Sequence, residues 1–186
     1  MYAIINENRY QKGADTMLSE KLLKALNDQI THEFASANLY LSMAAYCAAQ
    51  GYEGFSSFFI MQAEEERFHA MKFFHFVNEL GGQVVISGYP DPQQEFASVK
   101  DTFEKALAHE KFVTKLINDL LDLAESEKHR PTISFLQWFV DEQVEEEDSF
   151  NTIIDKFNII GDTGPGVYML DKELGQRTFS PEGSDQ

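Results

Sequence analysis

Apolar residues recur every three or four positions along four long segments of this chain. In the first segment they include Leu22, Leu26, Ile30 and Ala37, and the spacing continues to Ala44. This period matches one face of an α-helix and differs from the alternation of a β-strand. The pattern therefore predicts four amphipathic helices, over residues 19 to 50, 54 to 80 and 96 to 124, and from Pro131 up to Gly161.

Glycine residues mark the predicted helix ends. Gly51, the Gly81-Gly82 pair and Gly161 each follow a periodic segment. Residues able to adopt the left-handed backbone conformation commonly close a helix at this position. Beyond the GDTGPG turn, residues 167 to 175 are predicted to form a short fifth helix.

The lengths of the connections predict the topology. Short turns at about 50 to 53 and 128 to 131 make two antiparallel helical hairpins. The stretch between the hairpins, residues 83 to 95, has two prolines and no helical period. Extended, it covers roughly 45 Å, which is also the length of a helix of roughly 30 residues. We therefore expect an all-α four-helix bundle with one long crossover connection, in which helices two and three are parallel.

Polar residues interrupt the apolar stripe of every predicted helix. A buried carboxylate without a partner is costly, and the same stripes carry no Lys or Arg. Few ways to compensate are left, and a bound divalent or trivalent cation is the obvious one. The interrupting residues are Glu33 on helix one, Glu66 and His69 on helix two, Glu110 on helix three, and Gln143 and Glu146 on helix four.

The positions of these residues along the hairpins place them in one layer. Counted from the turn near Gly51, Glu33 and His69 both lie 18 residues away. Counted from the turn near residue 130, Glu110 lies 20 residues away and Glu146 lies 16. A single E-x-x-H spacing is weak evidence for metal binding, but positions at matching heights on four helices favour a shared site. Oxygen ligands with one imidazole suit iron or manganese better than zinc or calcium, and iron is our first choice.

Charge and cysteine content exclude several other classes of protein. The formal net charge of −16 repels phosphate backbones and anionic lipid, so we expect no nucleic-acid and no membrane partner. The sole cysteine, Cys47, cannot form an internal disulfide framework, which argues against a secreted helical cytokine. The first 16 residues lack the features of a signal peptide. A cytoplasmic location is therefore expected.

Five stretches of the sequence resemble the ferritins, and more closely the bacterial non-haem ferritins. The resemblance covers residues 17 to 175. It implies an all-α, ferritin-like four-helix bundle with a short fifth C-terminal helix, an N-terminal extension over residues 1 to 16 and a C-terminal tail over residues 176 to 186. The stretches are NDQITHEFASANLYLSM, AEEERFH, HEKF, WFVDEQVEEE and GDTGPGVYMLDKELG.

The same resemblance implies a ferroxidase. Such a protein oxidises Fe(II) to Fe(III) with O2 or H2O2 at a di-iron centre and stores the product as a ferric mineral. The mineral lies inside a homo-oligomeric shell, expected to contain 24 subunits.

The resemblance also assigns roles to residues. Glu33, Glu66 and His69 are implied to hold one iron ion, and Glu66 to bridge to a second ion held by Glu110. Gln143 and Glu146 complete this centre, and Tyr40 is implied to hydrogen-bond near it or to give up an electron. A third, weaker iron site is implied at Glu65, Glu142, Glu145 and Glu146.

Single positions separate this chain from near relatives. Bacterioferritins place a haem-binding methionine where this chain has Arg67, so we expect no haem. Gln143 and Glu146 replace the second E-x-x-H of bacterioferritins and rubrerythrins, which predicts two iron positions of different affinity. The acidic pair that lines the iron channel of animal ferritins is replaced by Ile133 and Leu136, so the route of iron into the shell stays open.

Three alternatives remain at this point. A di-iron oxygenase or peroxidase needs a substrate pocket or a redox partner domain. A metal-free helical interaction module is distinguished by a low molecular mass in solution. A twelve-subunit mini-ferritin builds its iron site between subunits and lacks the fifth helix.

Overall fold

The computed structural model describes residues 17–180 of the chain, and five helices lie in this part. The predicted extension over residues 1 to 16, and residues 181 to 186 of the predicted tail, lie outside the described residues. The helices are α1 Glu20–Ala49, α2 Glu53–Glu79, α3 Val99–Ser126, α4 Arg130–Ile160 and α5 Pro165–Leu174.

Local capping explains where two of the long helices begin. The Ser19 hydroxyl accepts a hydrogen bond from the Leu22 amide at 3.0 Å and so satisfies one free N–H group of α1. Ser98 caps α3 in the same way. The third helix therefore begins at Val99, three residues after the predicted start at Phe96, whose ring packs on Tyr46.

The helices form antiparallel pairs. α1 packs against α2, and α3 packs against α4, as the short connections predict. α1 also runs antiparallel to α3, because Ser36 contacts His109 while Cys47, further along α1, contacts the earlier residue Thr102. The bundle topology predicted from the sequence is confirmed.

The long connection between α2 and α3 runs beside α1. Asn27 binds its beginning, since the side-chain amide donates to the Gln83 carbonyl at 3.1 Å and its oxygen accepts from the Val85 amide at 2.6 Å. Ser42 binds its end through a 2.6 Å hydrogen bond to the Gln93 carbonyl. Asn27 and Ser42 are about 22 Å apart along a helix. The single long crossover is confirmed.

The core consists of two apolar clusters separated by a polar layer. On α1 one cluster takes residues from Leu22 to Ile30 and the other takes residues from Ala37 onwards, with Glu33 between them. The other three long helices divide in the same way. This division places the polar stripe residues at one level, because the apolar clusters fix the helices above and below them.

The short helix α5 packs across the beginning of α2. It starts at Pro165, two residues before the predicted start, since proline suits the first turn of a helix. The buried Asp171 carboxylate accepts a hydrogen bond from the Phe55 amide at 2.8 Å. A Cβ atom at Gly54 would lie 1.8 Å from the Asp171 carbonyl oxygen, so this contact requires glycine. Among the described residues, no helix is both long and apolar enough to cross a membrane.

Candidate metal centre

Glu33 lies in the polar layer of α1 and is 1% exposed. Its Oε1 atom accepts a hydrogen bond from the Gln29 amide at 2.8 Å, one helical turn earlier. Its Oε2 atom is buried and has no hydrogen-bond partner among the described residues. A buried carboxylate oxygen without a donor normally carries a large free-energy cost, so a ligand is expected there.

Glu66 and His69 face Glu33 from α2. Their spacing of three residues places both side chains on the same face of the helix. Potential ligand atoms of Glu33, Glu66 and His69 all lie within 4.8 Å of one another. The Oε2 atom of Glu66 is also buried without a hydrogen-bond partner in the described part of the chain, and it lies 3.7 Å from the His69 Nδ1 atom. Two unpartnered carboxylate oxygens and one imidazole thus meet in one place.

Glu110 enters the same layer from α3 and is fully buried. The Tyr40 hydroxyl donates a hydrogen bond to its Oε1 atom, and the Gln143 amide donates to its Oε2 atom at 3.1 Å. The Tyr40 ring is fixed between Phe59 and Phe150, with both ring centroids at 6.0 Å. Glu110 is therefore held by two donors that a metal ion would replace or share.

Glu146 approaches from α4 and accepts a hydrogen bond from the Gln62 amide at 3.0 Å. Gln62 and Gln29 are buried residues to which the sequence analysis assigned no role. Each stands four residues before a predicted ligand on its own helix, which is the signal that identifies them. Such supporting amides orient the carboxylates that bind a metal ion.

Burial controls the protonation of this layer. Removal from water raises the pKa of Glu33, and it raises the pKa of Glu66 and Glu146 well above the ordinary value. It raises the pKa of Glu110 to about 7, although the hydrogen bonds from Tyr40 and Gln143 oppose the shift. It raises the pKa of Tyr40 well above 10, and nearby carboxylates add to the shift.

Burial has the opposite effect on the one imidazole of the layer. It lowers the pKa of His69 to about 3, and the charge of Lys72 contributes. A neutral imidazole has a lone pair available for a metal ion. We name Glu33, Glu66, His69, Glu110, Gln143 and Glu146 the buried centre.

A second acidic group lies next to the buried centre, between α2 and α4. Potential ligand atoms of Glu65, His69 and Glu142 lie within 4.8 Å of one another. Glu145 is exposed and lines the same cavity, which has a volume of about 250 Å³. We name Glu65, Glu142 and Glu145 the second cluster, and His69 lies between it and the buried centre.

The predicted third iron site shares three residues with the second cluster. Its fourth residue, Glu146, is buried and bonded to Gln62. The grouping of Glu65 with His69 and Glu142 differs from the predicted set, and the third site stays a prediction. Arg177, from the segment after α5, forms an ion pair with Glu65 at 2.5 Å.

The remaining predicted positions lie outside these two sites. Arg67 is exposed and pairs with Glu64. Leu136 is fully buried in an apolar cluster and Ile133 packs against that cluster.

Comparison with known proteins places this arrangement among ferritins. The sequence profile of the ferritin-like domain matches residues 23–160, which contain every residue of the buried centre. The bacterial non-heme ferritin of Staphylococcus haemolyticus is 48% identical over 166 residues, or 89% of this chain and 100% of the relative. The corresponding protein of Staphylococcus aureus is 46% identical with the same coverage.

Two solved structures have the same fold. One is a closed form of the Archaeoglobus fulgidus ferritin engineered by site-directed mutagenesis, with a TM-score of 0.86 and 46% identity over 88% of this chain and 99% of that one. The other is the open-pore ferritin of the same archaeon, with a TM-score of 0.85 and 46% identity over 87% and 99% of the two chains.

Proposed function

The chain belongs to the ferritin family, and from that premise we propose that it stores iron by oxidising Fe(II) at the buried centre. The oxidant is O2 or H2O2, and the product is a ferric mineral inside a protein shell. Iron is here the substrate and the cargo of the protein.

One observation carries this proposal: two buried carboxylate oxygens have no hydrogen-bond partner among the described residues and face a neutral imidazole. They belong to Glu33 and Glu66, and the imidazole is His69. No Lys or Arg side chain makes an ion pair with either carboxylate in the part of the chain that the structure describes. A divalent cation satisfies all three groups at once, and the mixed oxygen and nitrogen donors suit iron.

We assign the two iron positions as follows. Glu33, Glu66 and His69 hold the first Fe(II), and Glu66 is shared with a second ion that Glu110 also binds. Gln143 and Glu146 complete the second position. Because this position has no imidazole, we expect it to bind iron more weakly and to release Fe(III) more readily.

The pair of ions makes a two-electron oxidation possible. Each Fe(II) loses one electron, and O2 takes both electrons with two protons to become H2O2. With H2O2 as the oxidant, the same two electrons and two protons give two water molecules. Tyr40 keeps Glu110 oriented during the reaction, and the tightly packed rings around it exclude water from that side.

We further propose that the shell consists of 24 copies of this chain. Large apolar side chains at the end of α4 and on α5 are exposed in the single chain, including Ile159, Tyr168 and Met169. Contiguous exposed apolar residues are typical of surfaces that associate with other chains. The neighbouring copies of a homo-oligomer would cover them.

The proposal is tested by loading the metal-free protein with Fe(II) under anaerobic conditions and then admitting air. We expect rapid oxidation and a ferric core that remains with an assembled shell on a sizing column. His69→Ala should slow the initial oxidation severely and leave the shell assembled, whereas Glu64→Ala, which removes an exposed carboxylate of the same helix, should not. An unchanged initial rate in His69→Ala would refute the buried centre as the oxidation site.

A further inference from the structure

The segment after α5 brings a positive charge onto the second cluster. The chain turns at the end of the helix, where the Arg177 amide donates to the Leu174 carbonyl at 3.1 Å. Arg177 then reaches Glu65, which is 112 positions away in the sequence, and its Nη2 atom lies 2.5 Å from Glu65 Oε2. A charge-assisted hydrogen bond of this length is a strong one.

Contacts with aromatic rings hold this segment in place. The Arg177 guanidinium carbon lies 4.7 Å from the centroid of the Phe58 ring, and the Phe179 ring lies 5.9 Å from that of Phe68. The segment starts from a fixed point, since the hydrogen bond between Asp171 and Phe55 anchors α5 on α2. Arg177 is therefore positioned by the fold and does not depend on a single surface ion pair.

The Arg177 guanidinium has unused hydrogen-bonding capacity. Its Nη1 atom is buried and has no hydrogen-bond partner among residues 17–180. Arg177 therefore loses hydrogen bonds to water where it packs against acidic residues. Its charge lowers the pKa of Glu65 and of Glu146, in opposition to the increase that burial causes. One cation therefore acts on both the second cluster and the edge of the buried centre.

The position of Arg177 conflicts with metal binding. A metal ion in the second cluster needs the Glu65 oxygen that Arg177 occupies, or must lie close to a like charge. The two cations compete for the same carboxylate lone pairs. No comparable cation pairs with the unpartnered oxygens of Glu33 and Glu66 in the described chain.

We propose that Arg177 determines the metal affinity of the second cluster, because its guanidinium must leave Glu65 before a divalent cation binds there. This inference rests on the proposed function, since it assumes that the buried centre binds metal as well. Iron then fills the buried centre first. The second cluster takes an ion only after the segment from Arg177 to Ser180 has moved.

The test is a calorimetric titration of the metal-free shell with Zn²⁺, which binds without redox chemistry. The first two equivalents per subunit report the buried centre, and a third reports the second cluster. In Arg177→Gln we expect the third equivalent to bind about tenfold more tightly than in the wild type, while the first two gain much less. Arg67→Gln removes an exposed arginine of α2 and should leave all three affinities unchanged.

Two outcomes of this titration would overturn the proposal. One is a third affinity in Arg177→Gln within about twofold of the wild type. The other is an equal gain in Arg67→Gln, which would show a general charge effect. If adding Glu65→Gln to Arg177→Gln abolishes binding of the third equivalent, the proposal is supported. Loss of the first two equivalents in the wild type would instead contradict the proposed function.

A second measurement uses the wild-type protein alone. Trp138 is the single tryptophan of the chain, and it lines the same cavity as Arg177 and Phe179. Its fluorescence should change as the third Zn²⁺ equivalent displaces the segment, with a smaller change in Arg177→Gln. If the Trp138 emission of the wild type stays constant while the third equivalent binds, the segment from Arg177 to Ser180 is not displaced and the proposal is refuted. This result does not depend on whether Arg177→Gln assembles.

Discussion

The buried centre and the second cluster are both built on glutamate carboxylates but balance their charge differently. Glu66 belongs to the first and Glu65 to the second, although they are adjacent on α2. Glu66 is 1% exposed and retains a carboxylate oxygen without a donor, whereas Glu65 is partly exposed and paired with Arg177. The comparison shows that burial and the presence of a protein cation decide whether an acidic group is left for a metal ion.

The largest expected effect separates these two neighbouring carboxylates. Glu66→Ala removes a ligand that both proposed iron positions share, so the initial rate of Fe(II) oxidation should fall by at least about 100-fold. Glu65→Ala removes a ligand of the second cluster and none of the buried centre, so its initial rate should stay within about threefold of the wild type. Stopped-flow absorbance of the ferric product measures both rates. Similar losses in the two variants would mean that the sites are not functionally distinct.

The next effect concerns the stability of the metal-free protein. Burial raises the pKa of Glu110 to about 7 from its ordinary value of 4.5. The folded state therefore binds this proton more tightly than the unfolded state. The stability contributed by Glu110 is fully present below pH 4.5 and is lost as the pH rises through about 7.

We expect the Tm of the metal-free protein to decrease by about 5 °C between about pH 5 and about pH 8. Glu110→Gln should reduce this decrease, because the amide does not ionise. Glu145→Gln, in the exposed part of the second cluster, should leave it unchanged. Calorimetry over this pH range measures the effect, and a Tm that rises with pH in the wild type would contradict it.

The smallest effect concerns a residue that supports the buried centre. Gln62→Leu removes the amide that orients Glu146, and the initial oxidation rate should fall by about tenfold. Gln137→Leu is the matched control, because Gln137 is an exposed glutamine of α4. If the initial oxidation rate falls equally in both variants, the effect comes from reduced stability of the protein and not from the orientation of Glu146.

The sequence predicted the bundle and the buried centre because both depend on local periodicity. Glu33, Glu66 and Glu110 interrupt apolar stripes at matching heights, and the structure places all three in one layer between the two apolar clusters. The helical period makes such a layer visible without any knowledge of tertiary contacts.

Two features could not be predicted in this way. Arg177 lies in a segment without helical periodicity and binds Glu65, which is 112 positions away in the sequence. No local pattern therefore predicts the contact. The start of α3 at Val99 depends on the Ser98 cap, while Phe96 has the spacing of a helical residue and packs outside the helix. The start of the helix is set by a local side-chain cap and the ion pair by a tertiary contact, and helical periodicity describes neither of them.

The most direct test of the buried centre is a crystal structure of the metal-free protein soaked anaerobically with Fe(II), with anomalous diffraction measured at the iron absorption edge. We predict two anomalous peaks in the polar layer, one among Glu33, Glu66 and His69 and one between Glu66 and Glu110. Iron peaks confined to the second cluster, with none in the polar layer, would contradict the account.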